Sequence, residues 1–272
     1  MQKKSFVLLS GGIDSTTCLA IALEAHNRKV AEIEAVSVFY GQRHKRELEY
    51  AKNTCDYYGI KHTILDVGDL LKGKHILLSA DSVGEMEMVN ISYDEIKGVS
   101  PSYVPFRNGL LLSAITAHAQ KYVMEQISEM QASTYARMLE MDEGCSEQDA
   151  KEVATQAARD LVTIYYGAHA EDAENWAYPD CTPEFNGSMA NAIYTGSYNT
   201  IRLATPLQWM KKHEIIRKGA EFGGSGFYQS TWSCYDNKEE HCGVCPTCRA
   251  RREAFLKAGV DDPTVYQEAY ES

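Results

Sequence analysis

The chain has 272 residues, a hydrophobic fraction of 44% and a formal net charge of −11. This is enough for one large α/β domain or for a domain with an appendage. The negative charge argues against a broad nucleic-acid-binding surface, and no apolar run approaches the ~20 residues of a membrane-spanning helix. The apolar stretch behind the basic start is too short for a signal peptide, so we expect a cytoplasmic protein.

The first predicted strand, Phe6–Leu9, runs into a small polar turn and then into an apolar-periodic helix. Gly11 and Gly12 allow backbone N–H groups to approach a ligand closely. The first helical turn adds unpaired N–H groups and a partial positive charge, which favour an anion. This glycine loop is therefore predicted to bind the phosphates of a nucleotide through Leu9, Ser10, Gly11, Gly12, Ile13, Asp14, Ser15 and Thr16.

Asp14 is unexpected in a loop that binds only anions. A carboxylate beside phosphates is understandable if it helps to hold Mg²⁺, so Asp14 is predicted to be a Mg²⁺ ligand or to lie beside one. The loop is neither a P-loop nor a G-x-G-x-x-G motif. Its Ser-Gly-Gly-x-Asp-Ser pattern resembles the pyrophosphatase-type loop of ATP-cleaving ligases such as GMP synthetase and tRNA-lysidine synthetase. An ordinary glycine-containing turn between strand and helix is the alternative.

A second strand is predicted over 33–40 and ends in a polar stretch. Ligands of open parallel sheets bind at the carboxyl ends of the strands, so we expect Tyr40, Gln42, Arg43 and His44 to reach the nucleotide. A solvated helix start is the alternative for Arg43 and His44. A helix over 47–58 and a third strand over 62–67 follow, and this alternation indicates a parallel sheet with right-handed crossovers.

The pattern loosens over 68–105, where we expect a long loop near the active site. Arg107 or Asn108 then opens a helix that extends to about Val123, and both residues are candidate nucleotide contacts. Arg107 can pair with a carboxylate or a phosphate.

A helical hairpin is predicted over 125–159, as an insertion between a core helix and the next strand. Gly144 interrupts it, and Ser146 with Asp149 forms a variant capping box that restarts it. The hairpin carries no catalytic constellation, so packing, oligomer contact or cover for a site are its expected roles.

Two further strands, over 161–167 and 200–204, complete a predicted open sheet of five parallel strands with flanking helices. Between these strands lies a polar and aromatic loop over 176–185, in which two prolines set rigid turns and the start of a helix. The segment after the fifth strand leads to a helix from about Lys211 to Phe222. Lys212 lies at its start.

Four of the eight cysteines, Cys234, Cys242, Cys245 and Cys248, cluster near the C-terminus. In a cytosolic chain this spacing indicates a metal more than disulfides. Four thiolates suit a closed, structural Zn²⁺ site. An iron–sulfur cluster uses the same ligands, and a redox C-x-x-C pair would leave two thiols unused. We predict a Zn²⁺ centre in a C-terminal segment, 223–272, packed on an ATP-binding domain, 1–222. The basic run 249–252 is expected to be a solvated helix face.

Several stretches in order are together similar to the 7-cyano-7-deazaguanine synthase family of queuosine biosynthesis, which forms preQ0. They cover most of the chain outside 125–159 and parts of the 68–100 loop. They are the glycine loop, Tyr40–His44, Val104–Asn108, Tyr178–Phe185, Thr205–Leu207, Thr231–Tyr235 and the cysteine cluster.

The resemblance implies a carbon–nitrogen ligase. ATP would adenylate the carboxylate of 7-carboxy-7-deazaguanine, ammonia would give the amide, and a second ATP would allow conversion to the nitrile. The residues implied for catalysis are Ser10, Asp14, Ser15 and Lys212, and Lys212 would neutralise charge that develops on the α-phosphate. An aromatic face and acceptors for the guanine-like base would come from Tyr178, Asp180, Cys181 and Glu184.

Departures from the family pattern keep other readings open. The family loop usually has an arginine where this chain has Thr182, and the helical insertion is atypical. A variant that stops at the amide, a ligase for another acid and a tRNA-modifying thiolase are alternatives of related chemistry. A zinc-stabilised binding module without catalysis is the alternative of another class. We expect small-molecule substrates, no direct nucleic-acid or membrane partner, and a homodimer.

Overall fold

The computed structural model describes residues 1–41, 46–71, 103–140, 146–235 and 239–267. Five strands form one parallel sheet in the order β3-β2-β1-β4-β5, which confirms the predicted architecture. The strands are β1 Lys4–Leu8, β2 Ile33–Phe39, β3 Lys61–Asp66, β4 Val162–Tyr165 and β5 Ile201–Ala204. Gln42, Arg43, His44, Gly144 and most of the predicted 68–105 loop lie outside the described residues.

Helices cover both faces of the sheet. They are α1 Ile13–Ala25, α2 Arg46–Tyr58, α3 Arg107–Glu140, α4 Glu147–Ala157, α5 Ala170–Ala173, α6 Pro183–Gly196, α7 Lys212–Gly223 and α8 Pro246–Ala258. One core joins β1 to residues of α1, α2, α7 and α8. The other joins the sheet to residues of α3, α4 and α6. Within the described part of the chain, no helix is both long and apolar enough to cross a membrane.

The predicted end of the third helix near Val123 is wrong, because α3 continues unbroken for 34 residues. Its buried stripe extends past that point through Val123 and Ile127, at the i, i+4 spacing of one helix face. The capping box of Ser146 and Asp149 that starts α4 is confirmed. Ala154 of α4 belongs to the same core as the buried residues of α3, so the hairpin of α3 and α4 packs as part of the domain.

The C-terminal helix α8 packs into the core through Ala254, Phe255 and Ala258. The expectation of a solvated basic face is wrong for Arg251, which is only 1% exposed. Its guanidinium donates to Asp262 and to the hydroxyl of Thr231, so a buried charge is satisfied by partners outside its own helix.

Candidate active site

The glycine loop lies at the carboxyl end of β1, the central strand. β1 pairs with β2 on one side and β4 on the other, so this is the point where the strand order reverses and where open α/β sheets bind ligands. Gly11 has φ +86°, and a Cβ there would lie 2.2 Å from the carbonyl oxygen of Glu47 in α2. Both the backbone conformation and the close helix therefore require glycine.

The start of α1 offers the anion-binding groups that the sequence predicts. Gly12 caps the helix without a side-chain hydrogen bond, and the first-turn N–H groups of a helix have no intrahelical acceptor. Beside them, the Ser15 hydroxyl accepts from the Ser10 N–H at 3.1 Å and lies 3.0 Å from the Ser10 hydroxyl. Ser10 is exposed and Gly12 is half-buried, so the mouth of the loop is open to a ligand.

Three other residues of the predicted loop site have buried side chains. Leu9 and Ile13 have buried side chains, and the Leu9 carbonyl already accepts from the Ser37 hydroxyl at 2.6 Å. Thr16 is buried, and its hydroxyl has no hydrogen-bond partner within the described residues. In this structure these three side chains hold the loop in the core; they do not line its mouth.

Lys212 and Asp14 form an ion pair across the start of α1. The Lys212 Nζ lies 2.8 Å from Oδ1 and 2.6 Å from Oδ2 of Asp14, and the backbone N–H of Lys212 donates to Glu171. Burial alone would raise the pKa of Asp14, but Lys212 and His169 lower it below its ordinary value. An ionised carboxylate and an ammonium therefore stand beside the anion-binding turn.

His169 belongs to this group but is absent from the sequence-based site. Its Nε2 lies 3.2 Å from Asp172 and 3.7 Å from Asp14. It is buried, and its Nδ1 has no hydrogen-bond partner in the described chain. The available signal was its position: His169 directly follows the fourth predicted strand, at the same sheet edge as the glycine loop.

A second polar cluster forms where α3 begins. Asp180 Oδ2 accepts the Asn108 backbone N–H at 3.0 Å, and the Asn108 amide donates to the Cys181 sulfur at 3.3 Å. The Arg107 guanidinium lies 5.8 Å from the Tyr40 ring centre. Burial raises the pKa of Asp180, while the Asn108 N–H and Arg107 oppose that rise. Asp180 thus holds the start of α3 within the candidate substrate site.

The remaining predicted substrate residues differ in exposure. Tyr178 is half-buried, and Glu184 is exposed in the first turn of α6. Cys181 is buried, and burial raises the pKa of its thiol above the ordinary value. It is therefore a neutral thiol at pH 7 and not an activated nucleophile.

Thr182, which stands where the family pattern has arginine, caps α6. Its hydroxyl accepts from the Phe185 N–H at 3.2 Å and donates to the Pro179 carbonyl at 2.8 Å. The side chain is 5% exposed. In this chain Thr182 therefore stabilises the start of α6 and the turn before it.

The four predicted metal ligands converge. The sulfur atoms of Cys234, Cys242, Cys245 and Cys248 all lie within 4.8 Å of one another. The Cys234–Cys245 and Cys242–Cys248 pairs are 3.9 and 4.0 Å apart. Tetrahedral zinc with Zn–S bonds of about 2.3 Å requires S–S separations of roughly 3.8 Å, so the thiols fit a Cys₄ metal centre.

Comparison with known proteins gives one family. The family model described as "Queuosine biosynthesis protein QueC" matches residues 4–136 and 151–259. A 7-cyano-7-deazaguanine synthase of Caldicellulosiruptor bescii is 34% identical over 264 residues, which is 97% of each chain. A protein of the same name from Thermoplasma acidophilum is 32% identical over 271 residues, 98% of this chain and 93% of the relative.

The fold and the site are those of an open parallel α/β sheet with a glycine loop and a helix start at the point where the strand order reverses, and the relatives are named as synthases. Within that class, the chain belongs to the QueC family of queuosine biosynthesis proteins. In the hairpin region, the family model matches the residues on both sides of 137–150.

Proposed function

We propose that this chain is a 7-cyano-7-deazaguanine synthase, a ligase that converts 7-carboxy-7-deazaguanine and ammonia into the nitrile preQ0. The carboxylate oxygen attacks the α-phosphorus of ATP, and pyrophosphate leaves. Ammonia then displaces AMP from the acyl adenylate, giving the amide. The amide oxygen attacks a second ATP, pyrophosphate leaves again, and loss of AMP and a proton gives the nitrile. The observation that carries the proposal is the open helix start with the Asp14–Lys212 pair beside it.

The glycine loop would hold the departing pyrophosphate. Its backbone N–H groups lie beside the exposed Ser10, whose hydroxyl lies 3.0 Å from that of the buried Ser15. Donors fixed before the reaction stabilise charge that develops in the transition state without reorganisation at that moment. The ammonium group of Lys212 would then interact with the α-phosphate oxygens as well as with Asp14.

Asp14 is an ionised, half-buried carboxylate beside the anion-binding turn. It would hold Mg²⁺ together with the bound phosphates, and Mg²⁺ would supply further charge neutralisation there. The Cys₄ centre would hold Zn²⁺ as a structural ion, because four protein ligands leave no open position for a reactant.

The second cluster would bind the deazapurine acid. Arg107 offers a planar donor for its carboxylate, and the aromatic side chain of Tyr178 offers a face for the base. Asp180 and Glu184 offer acceptors for the amino and ring N–H groups. Cys181 would contribute packing, since its thiol is neutral and its sulfur accepts from Asn108.

We also propose a cytoplasmic homodimer that makes no direct contact with nucleic acid. A four-thiolate centre needs reduced thiols, which the cytoplasm maintains. The charge of −11 opposes a phosphate-binding surface. Partly exposed apolar side chains on α3 and α4, including Met124, Leu139 and Val153, offer area for a partner copy.

The test is incubation with ATP, Mg²⁺, ¹⁵N-ammonium and 7-carboxy-7-deazaguanine, followed by mass spectrometry. The expected products are a ¹⁵N-labelled nitrile, AMP and pyrophosphate, with two AMP per nitrile. A labelled amide with one AMP would replace the proposal with the variant that stops halfway. Release of ADP, or no turnover with this acid while another acid is consumed, would contradict it.

A further inference from the structure

Trp232 connects the cysteine cluster to the glycine loop. Its backbone N–H donates to the Gly11 carbonyl at 2.8 Å, and its indole N–H donates to the Cys234 carbonyl at 2.7 Å. The side chain is 2% exposed. One buried residue therefore contacts the backbone of a metal-ligand residue and the backbone of the phosphate-binding turn.

Two further rings pack against the indole. The His241 ring centre lies 4.2 Å from it and the Tyr50 ring centre 5.2 Å. His241 accepts the Ser233 N–H at 3.1 Å. These contacts place Trp232 by packing against the cysteine-bearing segment and α2 together, so a shift of that segment must move Trp232.

The hydrogen bond to Gly11 has a directional consequence. In a trans peptide the carbonyl of Gly11 and the N–H of Gly12 point to opposite sides of one plane. With Trp232 bound to that carbonyl, the Gly12 N–H points the other way, where it donates to the exposed Ser10 hydroxyl at 3.4 Å. Trp232 thus aims a phosphate donor that it does not touch.

The stretch from Ser230 to Ser233, which contains Trp232, also forms hydrogen bonds with α2 and α8. The Thr54 hydroxyl of α2 donates to the Ser230 carbonyl at 3.1 Å, and Arg251 of α8 donates to the hydroxyls of Thr231 and Ser233. Gly11 itself lies against the Glu47 carbonyl. The loop is therefore held between α2 and a segment whose far end is the cysteine cluster.

We propose that Trp232 is a positioning residue through which the four-cysteine centre sets the conformation of the phosphate-binding loop. The integrity of the centre then controls affinity for ATP and pyrophosphate, in addition to stabilising the C-terminal segment. This inference rests on the proposed function, because it assumes that the glycine loop binds the phosphates of ATP.

The test uses the purified holoprotein and its Trp232→Phe and Trp232→Ala variants. The probes are α,β-methylene-ATP and inorganic pyrophosphate, followed by calorimetry, with zinc content measured on each sample. Trp209→Phe is the matched control, because Trp209 is 78% exposed. Both variants keep the backbone N–H that donates to Gly11 and lose the indole hydrogen bond to the Cys234 carbonyl. We expect the Kd of both probes to rise about threefold for Trp232→Phe, which retains most of the ring packing, and tenfold or more for Trp232→Ala, which also loses the contacts with Tyr50 and His241 that position this backbone.

Two readouts separate positioning from general damage. The KM for the deazapurine acid is expected to stay within about twofold while the KM for ATP rises, and Trp232→Phe is expected to retain its metal. Should Trp232→Ala fail to fold, Trp232→Phe and chelation of wild type carry the test, and chelation is expected to weaken probe binding about tenfold before unfolding. Wild-type affinity in folded Trp232→Phe or in chelated protein would overturn the inference. Wild type that binds neither probe would overturn the proposed function itself.

Discussion

Two lysine–carboxylate clusters lie at opposite edges of the same sheet and differ in how fully their charges are enclosed. At the carboxyl edge, the Asp14 and Lys212 side chains are 22% and 26% exposed. At the amino edge, Glu34 of β2 is 2% exposed. Its carboxylate contacts four side chains from two other strands and one helix: Lys4, Lys61, Thr63 and His118.

The difference separates a structural charge cluster from a functional one. Every oxygen of Glu34 has partners that belong to the fold, and a buried carboxylate keeps its charge only under that condition. Asp14 is paired with the Lys212 ammonium and lies 3.7 Å from His169. The ammonium stands beside the first turn of α1, whose N–H groups have no intrahelical acceptor, and it can be shared with an incoming phosphate. Removing a charge at the carboxyl edge should therefore affect catalysis, and removing a charge at the amino edge should affect stability.

The largest effect is expected for Lys212→Met. Loss of a positioned cation at the reacting phosphate should lower kcat/KM by about 10²- to 10³-fold, as removal of a preorganised transition-state donor typically does. The melting temperature should change little, because the pair is partly exposed and such pairs contribute little to stability. Pyrophosphate release measures the rate.

The matched control is Lys52→Met, which breaks the exposed ion pair with Asp56 within α2. It should leave kcat/KM and the melting temperature unchanged. A kcat/KM for Lys212→Met within threefold of the wild-type value would show that the reaction does not take place at the carboxyl edge beside Lys212.

The second effect is expected for Glu34→Gln, which should lower the free energy of unfolding by about 3 kcal/mol at pH 7 with wild-type activity per folded molecule. Burial by itself would raise the pKa of Glu34, but Lys4, His118 and Lys61 hold it at about 2, below the ordinary 4.5. The difference between the two free energies of unfolding, from urea titrations at several pH values, measures the contribution.

The sign of the pH dependence follows from that lowered pKa. The folded state favours the ionised form, so the stabilisation is fully present above about pH 4.5 and is lost as the pH falls towards 2. The difference between wild type and Glu34→Gln should stay constant from pH 8 to 6 and should be about 1 kcal/mol smaller by pH 3.5. A difference that grows on acidification would mean that Glu34 is not held ionised.

The carboxyl edge could be predicted from sequence because its groups follow strands. Each apolar run ends in a polar turn, so the glycine loop and the start of α7 could be assigned to one edge from the chain order alone. The cysteine centre could be predicted because all four ligands lie within a short stretch.

The amino-edge cluster could not be predicted in this way. Glu34 interrupts an apolar strand, and its partners come from four other positions between Lys4 and His118. Arg251 has the same difficulty, because its partners include Thr231 and Asp262. For Glu34 and Arg251 the decisive contacts are non-local. The length of α3 was missed for a local reason: the stretch after Val123 is rich in Met, Glu and Gln, although Ile127 continues the buried stripe one turn later.

The smallest effect is expected for Thr182→Ala, which tests whether position at the carboxyl edge alone implies a substrate role. Thr182 lies between candidate substrate residues, yet both of its hydrogen bonds go to local backbone, at Pro179 and Phe185. Loss of the cap should cost about 1 kcal/mol of unfolding free energy, and Thr182→Ser, which keeps the hydroxyl, should cost much less. The KM for the deazapurine acid should be unchanged in both variants. A KM that rises for Thr182→Ala and returns to the wild-type value for Thr182→Ser would show that the hydroxyl acts in the substrate site. A buried side chain with local hydrogen bonds could then no longer be classed as structural at the carboxyl edge of the sheet.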